Sequence, residues 1–220
     1  MKKKICVAII FALFIVFVEM FIDSSSEGSK IMTAELSKYR KGVNVLSINN
    51  IIVANIKYSL PKDYSPQESS EARDAFYKMN KDAQKSGLNL KAFSTYRSYE
   101  YQDRLFKSYV KEHGEKEANR FSAKPGESEH QTGLAFDIGG DDQSCWANKK
   151  FNNTKEAKWL YENAYKYGFI LRYPEGKENI TGYMYESWHY RYVGDLEVSK
   201  YCYDNNLTLE ELYDELDITK

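Results

Sequence analysis

Histidine and cysteine are scarce in this 220-residue chain, and its charges nearly cancel. It contains three histidines and three cysteines, and its formal net charge is −1. A chain without a basic excess does not bind by neutralising phosphates, so no nucleic-acid partner is expected. No internal repeat is visible, and the length gives room for one good-sized domain that buries a real core.

The three cysteines allow one disulfide within that domain at most. Cys6 lies in an apolar run, too near the start of the chain and in the wrong context for a lipoprotein signal. Cys145 and Cys202 could pair in an oxidising compartment. The sequence leaves this pairing open, because it does not show whether their Cα atoms come close enough.

The N-terminus has the pattern of a membrane segment. Three lysines follow Met1, and the next eighteen residues, 5–22, are apolar apart from Glu19. As a helix they span roughly 27 Å, close to a hydrocarbon core of about 30 Å. No small-x-small cleavage pattern follows, so residues 1–22 are expected to be an uncleaved anchor, with a cleaved signal segment as the alternative. Either one exports the rest of the chain.

Residues 23–41 are polar and predict a tether, which leaves residues 42–220 as the functional domain. Strands are predicted within 43–56 and at 88–93, 133–138, 169–172 and 189–193. Helices are predicted from Ser65, with Pro66 at its first position, to Gly87, and at 98–114, 154–168 and 209–216. Helices and strands mix without a regular βαβ rhythm, so the fold class is α+β.

The first candidate site lies around the predicted strand 133–138. Side chains alternate along a strand, so Gly133, Ala135 and Asp137 share one face. Small residues beside a carboxylate leave space for an ion and a ligand. His130 lies in the loop that enters this strand, from which it can reach the same ion as Asp137.

The second candidate site is a glutamate, Glu186, three positions before a histidine, His189. Two imidazoles and one carboxylate suit zinc, with a fourth position left to water. Glu186 could then accept a proton from that water. His130 and Asp137 could instead form an ordinary hydrogen bond, and the two clusters predict a metal only when taken together. His113 is expected to end a helix and not to bind metal.

The two clusters share a longer pattern, Ser128-x-His130-x-x-Gly133-x-Ala135-x-Asp137 followed by Glu186-x-Trp188-His189. This pattern resembles the signature of the VanY-type D-alanyl-D-alanine carboxypeptidases, zinc peptidases that trim bacterial cell-wall peptides. The resemblance extends to residues 96–102 and 122–128 and covers most of the chain from about 60 to 194. It implies a fold like that of the Hedgehog and D-Ala-D-Ala peptidases, in which helices flank a small antiparallel sheet that carries zinc.

The resemblance also implies roles for single residues. His130, Asp137 and His189 resemble the zinc ligands, with one Zn²⁺ per chain. Glu186 resembles the general base, and Arg97 resembles an arginine that contacts the substrate. The guanidinium of Arg97 suits either the terminal carboxylate of a peptide or the oxyanion that forms at the scissile carbonyl, and the sequence does not choose between them.

Two further positions resemble substrate-binding residues, Ser128 and, more weakly, Gln102. One position departs from the family pattern: Thr95 stands where family members often have glycine. Threonine tolerates positive φ poorly, so this departure puts the geometry of the local turn in question.

The resemblance implies a tethered zinc carboxypeptidase on the extracytoplasmic face of a bacterial membrane. Its substrate would be a peptidoglycan stem peptide, from which it removes the last residue of a D-Ala-D-Ala end. An L,D-carboxypeptidase that removes D-alanine from tetrapeptide stems is the nearest alternative. The related Hedgehog signalling domain keeps such a zinc site in a ligand, which suggests a non-catalytic binding module as a second alternative. Retention of Glu186 and Arg97 argues against this second alternative.

Overall fold

A computed structural model of the chain describes residues 47–48 and 51–217, with side chains from 51 to 214. The expected anchor at 1–22, the tether at 23–41 and the domain boundary at 42 lie outside these residues. Among the helices that are described, none has the length and apolar character needed to cross a bilayer. The membrane segment therefore stays a prediction from sequence.

Six strands form two antiparallel sheets in the described part of the chain. They are β1 (Ser47–Ile48), β2 (Ile51–Ile52), β3 (Lys91–Ser94), β4 (Ala135–Gly139), β5 (Phe169–Leu171) and β6 (His189–Tyr192). β1 and β2 pair with each other, and the other four form a sheet in the order β3-β4-β6-β5. The predicted α+β class with a small antiparallel sheet is confirmed.

Helices flank the four-stranded sheet. They are α1 (Ser70–Lys85), α2 (Tyr99–His113), α3 (Glu115–Ala118), α4 (Lys155–Asn163), α5 (Glu178–Thr181), α6 (Leu196–Asp204) and α7 (Leu209–Asp217). The side chains of Ser98 and Thr154 accept backbone N–H groups at the starts of α2 and α4, which agrees with the helix starts predicted at 98 and 154. His113 is the last residue of α2, also as expected.

The predicted start of the first helix at Ser65 is wrong. Ser69 caps α1 and accepts a hydrogen bond from the N–H of Ala72 at 3.2 Å. Gln67 has φ of 66°, a left-handed conformation that a helix starting at Pro66 does not allow. The hydroxyl of Ser65 instead lies 2.8 Å from that of Tyr96, so tertiary contacts override the local start signal.

The main core lies on one face of the four-stranded sheet. Phe136 and Ile138 of β4 and Tyr190 of β6 are buried there among residues of the flanking helices, such as Met79 and Leu160. Because side chains alternate along a strand, the residues between these ones point to the opposite face. Burial of the apolar face thus fixes which residues of β4 and β6 are presented on the other side.

A second, smaller core joins the hairpin strand β2 to the C-terminal helices. It consists of Ile51, Val53, Ile170, Cys202, Leu209, Leu212 and Tyr213. Cys202 is buried in this cluster and Cys145 is partly exposed elsewhere, and no disulfide joins the two. The pairing that the sequence left open is therefore absent from the structure.

Candidate metal centre

The pairing of β4 with β6 places Asp137 directly opposite His189. Both residues lie on the sheet face opposite the main core, since their neighbours Phe136 and Tyr190 are buried in that core. Directly opposed residues of an antiparallel pair have Cβ atoms about 4.5–5.5 Å apart, within reach of a shared ion. Strand register alone thus brings together two candidate ligands that are far apart in sequence.

His130 reaches the same place from a short 3₁₀ helix, Glu129–Thr132, that ends at Gly133. Gly133 has φ of 72° and is not part of the strand, so the expected strand face of Gly133, Ala135 and Asp137 begins only at Ala135. A Cβ on Gly133 would lie 1.9 Å from the carbonyl oxygen of Gln67. This glycine therefore allows a tight backbone contact and does not clear space for an ion.

The side chains of His130, Asp137 and His189 are all buried, and their ligand atoms lie within 4.8 Å of one another. His130 Nε2 lies 3.2 Å from Asp137 Oδ2, and His189 Nδ1 lies 3.2 Å from Asp137 Oδ1. Two ligands at about 2.0–2.1 Å from a tetrahedral zinc are roughly 3.3 Å apart, so this spacing fits zinc. His130 Nε2 and Asp137 Oδ1 also have no hydrogen-bond partner, although both are buried. The three residues therefore fit a zinc ion.

A backbone carbonyl orients one of the three ligands, His130. The Nδ1 of His130 lies 2.5 Å from the carbonyl oxygen of Thr95, which leaves Nε2 to face Asp137.

Outside glycine, the described residues with positive φ are Gln67, Ala147 and Asn206, so Thr95 adopts an ordinary conformation where family members often have glycine. Its hydroxyl donates a hydrogen bond to Glu68. The turn that the sequence put in question thus forms around threonine.

Burial and charge separate the protonation states of the two histidines. Burial and the nearby positive charge of Arg97 lower the pKa of His130 to about 4. Burial also disfavours the charged form of His189, but the nearby carboxylates of Asp137 and Glu129 outweigh this and raise the pKa of His189 to about 9. Burial favours the neutral form of the Asp137 carboxyl, but its interactions with His130 and His189 have the larger effect and hold its pKa well below the usual range.

Glu186 lies beside this cluster, in the segment just before β6. Its carboxylate is buried, with Oε2 3.5 Å from His189 Nδ1. Burial raises the pKa of Glu186 to about 7, against the opposing effect of His189. A carboxyl group that exchanges its proton near neutral pH is suited to general acid–base catalysis.

Arg97 contributes positive charge at the edge of the cluster. Its Nη2 lies 3.6 Å from Asp137 Oδ2, and its side chain is 19% exposed. Its Nη1 donates to Gln102 Oε1 at 2.9 Å, and its backbone N–H donates to the carbonyl of His130. The guanidinium is therefore held beside the candidate ligands while part of it stays accessible.

The two weaker candidates are placed differently. Gln102 is 1% exposed, and its amide nitrogen donates to the carbonyl of Ala123 at 2.7 Å while its oxygen accepts from Arg97. It lies behind Arg97 rather than in an open pocket. Ser128 is buried directly before the 3₁₀ helix that carries His130, and its hydroxyl does not cap that helix.

A buried charge cluster behind His189 was missed from the sequence. Glu129, Arg172 and Arg191 are almost fully buried, and Glu129 lies between the two arginines. Charged residues usually indicate exposed positions, which hides such a cluster in a single sequence. One signal was present: Arg191 is two residues after His189 on one strand, so both belong to the same face.

Comparison with known proteins identifies the family of this chain. The model of the family VanY, D-alanyl-D-alanine carboxypeptidase, matches residues 66–195. The putative carboxypeptidase YodJ of Bacillus subtilis (strain 168) is 42% identical over 187 residues, which are 76% of this chain and 68% of YodJ. The L,D-carboxypeptidase DacB of Streptococcus pneumoniae is 43% identical in its crystal structure, which superposes with a TM-score of 0.70 over 81% of this chain and 96% of DacB.

A third relative holds a metal. It is a variant of the D,D-pentapeptidase VanY from a VanB-type resistance cassette, in complex with Zn(II), and is 32% identical to this chain. The TM-score is 0.64, and the match covers 73% of this chain and 96% of the VanY structure. The family model covers more than half of the chain. The matches with these three relatives cover more than two thirds of each relative's length. The chain therefore belongs to the VanY family of D-alanyl-D-alanine carboxypeptidases.

Proposed function

We propose that this chain is a zinc-dependent carboxypeptidase that removes the C-terminal D-alanine from peptidoglycan stem peptides. One observation carries the proposal: the buried group of His130, Asp137 and His189 has zinc-like spacing and lies directly beside Glu186, whose pKa is about 7. The complex of a related VanY with Zn(II) supports the same metal here. One Zn²⁺ per chain would occupy this centre.

Zinc bound by these three residues would lower the pKa of a bound water and polarise the scissile carbonyl. Glu186 takes the proton of the attacking water on its carboxylate and later gives it to the departing amine. A pKa near 7 lets one carboxyl group perform both transfers. The low exposure of Glu186 and His189 keeps bulk water away from these proton transfers.

Arg97 binds the substrate in this proposal. Its guanidinium is partly exposed next to Asp137 and carries the positive charge that an anionic group needs. Binding of the terminal carboxylate explains exopeptidase action, whereas contact with the oxyanion would lower the barrier of the chemical step. Gln102 positions Arg97 through its amide oxygen. Ser128, two residues before His130 in the sequence, is a candidate for a hydrogen bond to the substrate.

The scissile bond has two candidate forms. The family description and the related D,D-pentapeptidase favour a D-Ala-D-Ala end, as in pentapeptide stems. The L,D-carboxypeptidase DacB is more similar, at 43% identity against 32%, and covers more of the chain. This difference favours D-alanine release from tetrapeptide stems, and we take the L,D bond as the first to test.

We propose that the enzyme acts outside the cytosol of a bacterium. Residues 1–22 would anchor it, residues 23–41 would tether it, and residues 42–220 would form the carboxypeptidase domain. The basic start and apolar run of the sequence support this arrangement. Cell fractionation and protease accessibility of the full chain on whole cells would test it.

The deciding experiment measures D-alanine release from purified tetrapeptide and pentapeptide stems, with and without a zinc chelator. Chelator-sensitive release from the tetrapeptide alone would establish the L,D form, and release from the pentapeptide alone would establish the D,D form. Zinc binding without cleavage of either stem would overturn the carboxypeptidase proposal and favour a non-catalytic binding module.

A further inference from the structure

We infer that Glu129 is a positioning residue for His189, which it orients through the ring nitrogen that does not face the metal centre. This inference rests on the proposed zinc centre and extends it beyond the three ligands and Glu186. Without this role, the only evident function of the Glu129 carboxylate is to neutralise two buried arginines, Arg172 and Arg191. The contacts of Glu129 and the two nitrogens of His189 carry the argument.

The two ring nitrogens of His189 have different surroundings. Nδ1 lies 3.2 Å from Asp137 Oδ1 and 3.5 Å from Glu186 Oε2. Nε2 lies 3.8 Å from Glu129 Oε2. Nδ1 is therefore the atom offered to a metal, and the Nε2–H is directed at Glu129.

The two facing atoms, His189 Nε2 and Glu129 Oε2, are both fully buried, and neither has a hydrogen-bond partner. Buried polar atoms without partners are rare in folded proteins and costly. A separation of 3.8 Å is longer than a normal hydrogen bond and leaves no room for a water between the two atoms. A small shift of the ring would satisfy both atoms at once.

Glu129 is held firmly from its other side. Its Oε1 accepts a hydrogen bond from Arg191 Nη1 at 2.8 Å and lies 2.9 Å from Arg172 Nε. Both arginines have further anchors: Arg172 donates to Glu210 of α7 at 2.6 and 2.7 Å, and Arg191 donates to the carbonyl of Ile52 at 2.7 Å. The side chain of Glu129 thus has little conformational freedom, and its second oxygen, Oε2, faces His189.

A carboxylate placed in this way has a known physical effect on a metal-binding imidazole. It accepts the free ring N–H, which fixes the tautomer and ring orientation and makes the other nitrogen a stronger ligand. Loss of such a partner typically lowers metal affinity about 10- to 100-fold. The competing explanation is that Glu129 only neutralises the buried arginines. Glu210 separates the two explanations, because it also pairs with Arg172 but does not contact His189.

The experiment compares the zinc affinity of the wild type, Glu129→Gln and Glu210→Gln by competition with a chromophoric chelator. The thermal midpoint of each metal-free protein is measured alongside. We expect both variants to unfold at lower temperature, since each leaves a buried arginine without one carboxylate. Only Glu129→Gln should lose zinc affinity, by about 10- to 100-fold, while Glu210→Gln stays within error of the wild type.

Two results would overturn the inference: wild-type affinity in folded Glu129→Gln, or an equal loss in both variants. A wild type that binds no zinc would instead defeat the proposed zinc function itself, so the two failures are distinguishable. Should Glu129→Gln fail to fold, nitrogen-15 NMR of the zinc-loaded wild type decides the question. His189 should then carry its proton on Nε2 with Nδ1 bound to metal, and the reverse assignment contradicts the inference.

Discussion

Asp137 of β4 and His189 of β6 are direct cross-strand partners, and their side chains bring a carboxylate oxygen and Nδ1 to 3.2 Å from each other. The apolar neighbours Phe136 and Tyr190 fix this arrangement by packing into the main core. A slip of one residue in the β4–β6 register would turn the side chains of the slipped strand over, so that only one of the two candidate ligands stayed on the site face. The stability of the fold and the geometry of the metal centre therefore depend on the same strand pairing.

Arg97→Gln should lower kcat/KM, because it removes a charge-assisted contact with the substrate. Hydrogen bonds to charged groups contribute about 1.5–3 kcal/mol, which corresponds to a loss of roughly 10- to 150-fold. A rise in KM alone would indicate binding of the terminal carboxylate, and a fall in kcat would indicate the oxyanion. Steady-state kinetics on the stem peptide distinguish the two.

The matched control for Arg97 is Arg104→Gln, since Arg104 is an exposed arginine of α2. It should leave both kinetic constants unchanged. Equal losses in the two variants would show that Arg97 has no specific contact with the substrate and acts only through overall charge.

Zinc binding should strengthen as the pH rises from about 6 to about 9. The pKa of His189 is about 9 in the metal-free protein, so zinc must displace a proton from it below that pH. His130 has a pKa of about 4 and releases no proton in this range. Affinity should rise by up to about tenfold per pH unit and then level off above pH 9.

Isothermal titration in buffers of different ionisation enthalpy would count the released protons directly. His113→Gln is the control, since His113 is an exposed residue at the end of α2. The same raised pKa also affects stability without metal: His189 contributes stability below its ordinary pKa of 6.5, and this contribution is lost as pH rises through about 9. A zinc affinity that does not change between pH 6 and 8 would contradict the proton displacement.

Gly133→Ala should destabilise the protein more than Gly176→Ala. Both glycines have positive φ, 72° and 79°, so alanine costs about 1–2 kcal/mol at either position. A Cβ at Gly176 meets nothing within 4 Å, whereas one at Gly133 overlaps the backbone of Gln67 at 1.9 Å. Urea unfolding should show the larger loss of unfolding free energy for Gly133→Ala, and equal losses would mean that the backbone contact relaxes freely.

Much of the candidate site was predictable, because its residues lie in short motifs. The motifs that contain His130 and Asp137, and Glu186 and His189, together predicted a cluster, and the structure brings these four residues together. The capped helices were also predictable, since Ser98 and Thr154 act through contacts within one turn. Local patterns were sufficient wherever the decisive contact is close in sequence.

Contacts between distant segments account for what the sequence did not predict. The wrong start at Ser65 arose because its hydroxyl contacts Tyr96, which no local pattern records. The contacts of the Gln102 amide with Arg97 and with the carbonyl of Ala123 were not predicted either, while substrate binding by Gln102 stays a prediction. The ion pair of Glu129 with Arg191 joins residues 62 positions apart and was likewise invisible in the sequence.

The most direct test of the account measures zinc content and D-alanine release in the same samples of wild type, Glu186→Gln and Glu175→Gln. Glu175 is an exposed glutamate outside the site and serves as the control. We predict that Glu186→Gln keeps one zinc per chain and loses about 10²- to 10⁴-fold in kcat, as expected for removal of a general base, while Glu175→Gln matches the wild type. Zinc-loaded Glu186→Gln that turns over stem peptide at the wild-type rate would contradict the central claim.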